Sequence, residues 1–272
     1  MKQEFLDGLK EWFSAYVRPF RDLPEGPQAI ELKEAHTANV CRNIAMIAGA
    51  EGLKTGDIVL AEAIGLLHDV GRFPQYARYG TFKDSQSENH GELGVRVIAE
   101  SHILEGLPED ERAIVISSVK FHNAFSMPLL ESRPALFLKL IRDADKLDIW
   151  RVFIDYFARP RKFASPREQA AYNQSLGFPG GQGISGKVLE SLKAGEKIPL
   201  SEAVTDHDVR ILQLSWIYGL NFQMSFRTAL ERGIVDKIFA QLPDFEDKDS
   251  LRSKLNKFLR EKSAGNSQLN TS

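Results

Sequence analysis

Four histidines, His36, His68, His90 and His122, fall on inward-facing stripes or at the ends of segments with helical periodicity, and His68 is followed directly by Asp69. A later carboxylate, Asp145, lies on an apolar stripe of its own, because Leu138, Ile141, Asp145, Ile149 and Val152 recur three or four residues apart. One histidine on an apolar face is ordinarily a core residue bonded to a backbone carbonyl. Four of them with two inward carboxylates are costly to bury separately, since each unpaired polar group in a core costs free energy. A shared cation satisfies them together. Imidazole with carboxylate suits divalent Fe, Mn, Co, Ni or Zn, and the lone Cys41 rules out a multi-thiolate site. The expectation is one or two divalent transition-metal ions. Asp69 is the informative member, because its two oxygens can touch two ions while His68 holds one.

The segments that must carry these residues read as helices, and no run of strict alternation is long enough to demand a sheet, so the fold class is all-α. Phe5 to Tyr16 has an aromatic stripe that docks on the core. Ile30 to Ala50 carries Leu32, Ala35, Val40, Ile44 and Ile47 on one face with His36 among them. Asp57 to Leu67 runs apolar into His68-Asp69, with Gly71 as a stop signal. Phe73 to Ser87 reads as a loop lining a pocket, and Ser87 as the cap of a helix from about Glu88 to Ser101 with His90 in its first turn. Further helices are predicted from Pro108 or Glu109 to His122, from Pro134 through Tyr156, and from Asp208 to Arg232. Between Pro160 and Gly186 the composition turns to Pro, Gly, Ser, Arg and Gln, which reads as a loop of the lid type, and Ser263 to Ser272 read as a frayed tail.

Composition bounds the rest. Hydrophobic residues make up 43% and charged residues 26%, the profile of an ordinary folded protein. The net charge of -2 offers no basic excess, which argues against general nucleic-acid binding. No stretch approaches the ~20 apolar residues of a membrane span, and the opening Met1-Lys2-Gln3-Glu4 does not resemble a signal peptide, so a cytoplasmic protein is expected. Cys41 reads as a small buried apolar residue. Oligomeric state is left open.

The ordered set His36, His68-Asp69 and Asp145 resembles the H…HD…D signature of HD-domain phosphohydrolases over about residues 30–150. Its local forms are Leu66-Leu67-His68-Asp69-Val70-Gly71-Arg72 and Asp143-Ala144-Asp145-Lys146-Leu147-Asp148, and His90 and His122 resemble the extra ligands of the binuclear subgroup. The resemblance implies an HD-domain helical bundle with additional C-terminal helices. It also implies a metal-dependent phosphohydrolase that cleaves a phosphate ester of a nucleotide or other small phosphorylated metabolite. In this reading His36, His68, Asp69 and Asp145 hold one ion, and Asp69 bridges through to a second held by His90 and His122. Such ions lower the pKa of the attacking water and neutralise phosphoryl charge. Asp69, Arg72 and Lys146 are the expected catalytic residues, the two cations as phosphate contacts, with Lys83 and Arg142 behind them. Asp143 lies about 200° around its helix from Asp145 and reads as a surface acid or one behind the ligands, while Asp148 is placed to orient a ligand or the substrate.

His102 and His207 read as surface or structural, and the basic cluster Arg159 to Arg167 as a solvated face that can also meet an anionic substrate. The chain is expected to form one domain over 1–272, with a metal-binding core at 25–158, a loop-rich excursion at 159–200 and C-terminal helices at 201–262 packed on the core. No motif is matched in that last third, and neither the nucleotide-reading loops of dNTP triphosphohydrolases nor the Gly-Tyr-Pro element of cyclic-dinucleotide phosphodiesterases is found. Two other functions fit the same residues: the ligand set also resembles the diiron oxygenases of this superfamily, and the fold can serve a non-catalytic nucleotide sensor.

Overall fold

The computed structural model describes residues 1–23, 27–158 and 179–264, and these fold into α-helices joined by short turns, with no strand among them. The basic cluster Arg159 to Arg167, most of the expected lid loop and the last residues of the chain lie outside the described residues. No described helix is long and apolar enough to cross a membrane. The chain divides into two compact units, one ending at Asp148 and the other beginning at Ile149.

In the first unit, α1 (Gln3–Arg21) buries Leu6, Leu9, Phe13 and Val17 at the three-and-four spacing of one helical face. Its aromatic residues gather around Phe73, with Phe13, Tyr16 and Phe20 centred 5.8, 6.0 and 5.8 Å from that ring. α2 (Pro27–Ala50) ends at Gly52, whose φ of 71° is open to glycine at little cost. There the Leu53 N–H bonds back to Ala48 O at 3.1 Å and the Gly52 N–H to Gly49 O at 3.0 Å, the two bonds of a Schellman stop.

The chain returns as α3 (Thr55–Leu67), whose residues from Val59 to Leu67 are all buried except Glu62. Each fully buried Leu or Ile contributes about 1.5–3 kcal/mol. α2 and α3 lie close because Gly65 carries no side chain, and a Cβ there would stand 3.1 Å from the Ile44 side chain and 3.2 Å from Cys41 Cα. Cys41 itself is half-buried beside the Glu62 carbonyl, and burial pushes its thiol up to about 12, so it stays an inert thiol.

The segment expected as a loop after His68-Asp69 is instead a helix, α4 (Arg72–Tyr79), closed by Gly80 at φ 64° and followed by a short 3-10 turn at Asp84–Gln86. Its Phe73, Gln75 and Tyr76 are buried, so the Pro and polar residues that suggested a loop are those of a short helix with one face inward. α5 (His90–Ser101) is capped by Asn89, whose side chain accepts from the Glu92 N–H, and not by Ser87 as expected. The hydroxyl of Ser87 donates to Lys83 O at 2.8 Å and accepts from Gln75 Nε2 at 2.8 Å. α6 (Glu109–Phe121) and the start of α7 (Ser132–Ala158) complete this unit.

The second unit takes the end of α7 and then α8 (Gly186–Ala194), α9 (Asp206–Ser215), α10 (Gln223–Glu231), α11 (Ile234–Phe239) and α12 (Lys248–Ala264). The helix expected over Asp208 to Arg232 is thus two helices, separated by a 3-10 turn at Trp216–Gly219 and an extended Leu220 and Phe222. Ser263, expected in a frayed tail, is still helical. α9 starts at a capping box in which the Thr205 side chain accepts from the Asp208 N–H and Asp208 answers to the Thr205 N–H. Asp208 is fully buried and also accepts from Ser185 N and Ser185 Oγ at 2.7 Å. Trp150, from the end of α7, donates its indole N–H to Gln213 O at 3.0 Å.

Candidate metal centre

Three helix ends and two helix faces deliver the ligand-type residues. His36 lies mid-way along α2 and Asp145 and Asp148 along α7, whereas His68 and His122 follow the last residues of α3 and α6, and His90 opens α5. Beyond His68 the chain tightens into i to i+3 bonds, Val70 N–H to Leu67 O at 3.2 Å and Arg72 N–H to Asp69 O at 2.9 Å, which turn Asp69 inward. The Tyr16 hydroxyl braces this bend by donating to Val70 O at 3.0 Å.

Gly71, expected as a helix stop, has an ordinary φ of -65°. Its lack of a side chain serves contact instead, since a Cβ would lie 2.2 Å from His90 O and 2.6 Å from Gly94 N. Gly91 likewise meets the Lys120 and Val119 carbonyls, so glycines let α5 approach both its neighbours closely.

Asp69 stands at the centre and divides its two oxygens. Oδ2 is 3.7 Å from His36 Nε2 and 3.7 Å from His68 Nε2, while Oδ1 is 3.4 Å from His90 Nε2 and 3.7 Å from His122 Nε2. The first group gains Asp145, whose Oδ1 is 3.1 Å from His36 Nε2 and 3.9 Å from His68 Nε2. All four imidazoles and Asp69 are at most 5% exposed. Two compact ligand sets result, His36, His68 and Asp69 in one and Asp69, His90 and His122 in the other.

Each ring is oriented through its other nitrogen. His68 Nδ1 donates to Gly65 O at 2.7 Å and His122 Nδ1 to Val119 O at 2.8 Å, both to the carbonyl three residues back. The other two face carboxylates: His36 Nδ1 meets Asp148 Oδ2 at 2.8 Å and His90 Nδ1 meets Asp84 Oδ2 at 2.7 Å. With Nδ1 carrying the proton, the Nε2 lone pairs turn inward, the tautomer a metal ligand requires.

Burial sets the charge states. It pulls His68 down to about 4, with Asp69 and Asp145 opposing, and it pulls His90 down to about 3 with help from Arg72. Both rings are therefore neutral at physiological pH. His36 is the exception, because burial lowers it but hydrogen bonds to Asp145 and Asp148 outweigh that and raise it. Burial works to raise Asp69 and Asp145 too, yet the Lys33 ammonium holds Asp69 low and His36 holds Asp145 low, leaving both ionised.

These residues fit divalent ions. His90 Nε2 and His122 Nε2 are 3.0 Å apart, and with a proton on each Nδ1 given to an acceptor, the two Nε2 lone pairs would face each other. A cation in that set removes the conflict, and nitrogen with carboxylate oxygen is the donor chemistry of the borderline metals.

Among the other expected residues, Arg72 gives Nη1 to Gln75 Oε1 at 2.8 Å and Asp84 Oδ1 at 2.9 Å, while its Nε lies 3.5 Å from Asp69 Oδ1. That Nε is buried without a hydrogen-bond partner among the described residues. Lys146 donates to Arg142 O at 3.3 Å within its own helix. Arg142 caps the end of α6, donating to the carbonyls of Phe121, His122 and Ala124. Asp143 is fully buried, which corrects its surface reading and leaves the alternative of an acid behind the ligands. His102 is an exposed C-cap paired with Glu105, and His207 accepts from the Gly183 N–H, both structural roles.

Two residues at the site are missed by sequence reasoning. Lys33 places Nζ 2.7 Å from Asp69 Oδ2, and its signal is its position three residues before His36, hence on the same helical face. Asp84 backs His90 from a segment that reads as a plain loop, and no periodic pattern points to it.

Residues 34–150 match the family model of the HD domain. Among solved structures, the chain resembles the crystal structure of a predicted HD superfamily hydrolase from an uncultured Thermotogales bacterium, at 24% identity over 64% of this chain and 83% of that one, with a TM-score of 0.35. No curated protein matches the chain.

Proposed function

From the match of residues 34–150 to the HD-domain family model, we propose that the protein is a divalent-metal-dependent phosphohydrolase acting on a phosphate ester of a nucleotide or another small phosphorylated metabolite. The observation that carries this reading is the division of Asp69 between two histidine sets, one oxygen toward each. His36, His68, Asp69 and Asp145 would hold one ion, and Asp69, His90 and His122 a second. Ions so held supply a lowered pKa for an attacking water and neutralise phosphoryl charge.

The chain's own residues handle orientation and the substrate's negative charge. Arg72 is fixed through Nη1 by Asp84 and Gln75, with its Nε 3.5 Å from Asp69 Oδ1, which holds a guanidinium charge beside the two histidine sets. An arginine held in one orientation loses little entropy on binding a phosphate oxygen. Lys33 adds positive charge at the other oxygen of Asp69, and Lys146, next to Asp145 in the chain, serves as a further phosphate contact.

The test is elemental analysis of anaerobically prepared protein, followed by a screen of phosphomonoesters, nucleotides and phosphodiesters with Mn or Co added. Up to two ions per chain and anaerobic ester turnover are expected, with both lost in Asp69→Ala while helical content is kept. A fully metallated protein that turns over no ester class, or that reacts only by consuming dioxygen, would end this reading.

A further inference from the structure

Four polar side chains converge on Asp84, a residue in a short 3-10 turn outside the ligand set. Its Oδ1 accepts from Arg72 Nη1 at 2.9 Å and Gln75 Nε2 at 2.9 Å, and its Oδ2 accepts from His90 Nδ1 at 2.7 Å and Asn123 Nδ2 at 3.1 Å. These donors come from α4, from the start of α5 and from just beyond α6. One carboxylate thus ties together the three chain segments whose ends surround the second ligand set. The first set has a counterpart in Asp148, which faces His36 Nδ1 from α7. Each set therefore pairs one ring backed by a carboxylate with one ring backed by a carbonyl three residues earlier.

The two kinds of backing act differently on the ring. A carbonyl fixes the tautomer. A carboxylate fixes it too and, through its charge, makes the opposite nitrogen a better donor to a cation. Arg72 Nη1 and His90 Nδ1 meet the same Asp84 oxygen, each at 2.9 Å, so a guanidinium stands beside this ring. The same Asp84 carboxylate that takes Arg72 also draws that guanidinium's charge away from the ring.

We propose that Asp84 is a positioning residue for the second ion: it aims and strengthens His90 as a ligand while neutralising Arg72 beside it. This rests on the metal-centre reading above and adds a specific division of labour, with Asp84 governing the ion at His90 and His122 and Asp148 the ion at His36 and His68.

The experiment is calorimetric titration of the ion-stripped full chain with Co²⁺, comparing wild type with His90→Ala, Asp84→Asn, Asp84→Glu and Asp148→Asn. Asp84→Asn keeps the size of the side chain and removes its charge. It should weaken by about 10- to 100-fold the same binding step that His90→Ala removes, and leave the other step in place as an internal check on folding. Asp148→Asn should weaken the other step, and Asp84→Glu, which keeps the charge, should bind more tightly than Asp84→Asn. If wild type binds Co²⁺ in two steps and Asp84→Asn leaves both unchanged, or weakens both equally, Asp84 has no such role and the metal centre stands. Asp84 likewise loses the role if Asp84→Glu binds no better than Asp84→Asn. If wild type itself binds no Co²⁺, both readings fall together.

Discussion

Gly71→Ala sets two physical effects against each other, and the structure decides the sign. By backbone conformation alone the change should stabilise the protein, because Gly71 sits at φ -65° and ψ -21°, where alanine is at ease. Replacing glycine there restricts the unfolded chain and gains about 0.4–1 kcal/mol. The opposing effect is steric. The new Cβ would lie 2.2 Å from His90 O, whereas Cβ atoms essentially never come within 3.0 Å, so the two backbones must part by at least 0.8 Å. Neither contact atom, His90 O or Gly94 N, belongs to a side chain that can swing away. Forced overpacking of this kind costs about 1–3 kcal/mol, so taking the middle of each range the clash should win by about 1.3 kcal/mol.

The movement also falls where it matters most, between Asp69 and His90. A metal site tolerates about ±0.2 Å in its ligand distances, well under the required opening. Gly71→Ala should therefore melt at a temperature lower by about 2–4 °C for each kcal/mol lost and bind the ion of the His90 and His122 set poorly, as read by thermal denaturation and elemental analysis. A variant that melts higher than wild type with its full complement of metal would show that conformational freedom, and not close approach, is why this position is glycine.

Two further outcomes are expected. Arg72→Ala should keep its metal but lose about 10- to 100-fold in kcat/KM toward phosphate esters, the worth of one charge-assisted hydrogen bond; unchanged steady-state kinetics would remove it from the substrate. In the second unit, burial works to raise the Asp208 carboxyl but the Ser185, Val204 and Thr205 donors hold it below its usual value. A depressed folded-state pKa gives stability that is complete at neutral pH and fades as pH falls below about 4. Asp208→Asn should accordingly melt below wild type at pH 7 with a gap that narrows in acid, and a gap constant from pH 7 to pH 3 would refute the assignment.

Much of this was legible in the chain itself. Helices and their inward faces follow from periodicity, because the 3.6-residue repeat places residues three and four apart on one side whatever the partner. That is why His36 and the stripe through Asp145 could be read as inward, whereas joining His36, His68-Asp69, His90, His122 and Asp145 into one ligand set rests on the resemblance to HD-domain phosphohydrolases and stands as a proposal. What tertiary structure decided was whatever depends on two segments meeting. Gly71 looks like a stop signal in one dimension, and only the passage of α5 against it reveals a contact glycine. The segment from Phe73 onward reads as a loop by its composition, yet burial of Phe73 and Tyr76 against neighbours overrides weak local preference. Lys33 is marked only by sharing a helical face with His36 and Asp84 by no pattern at all, since an ion pair or a hydrogen bond to a distant ring is specified by the approach of helices and not by spacing along the sequence.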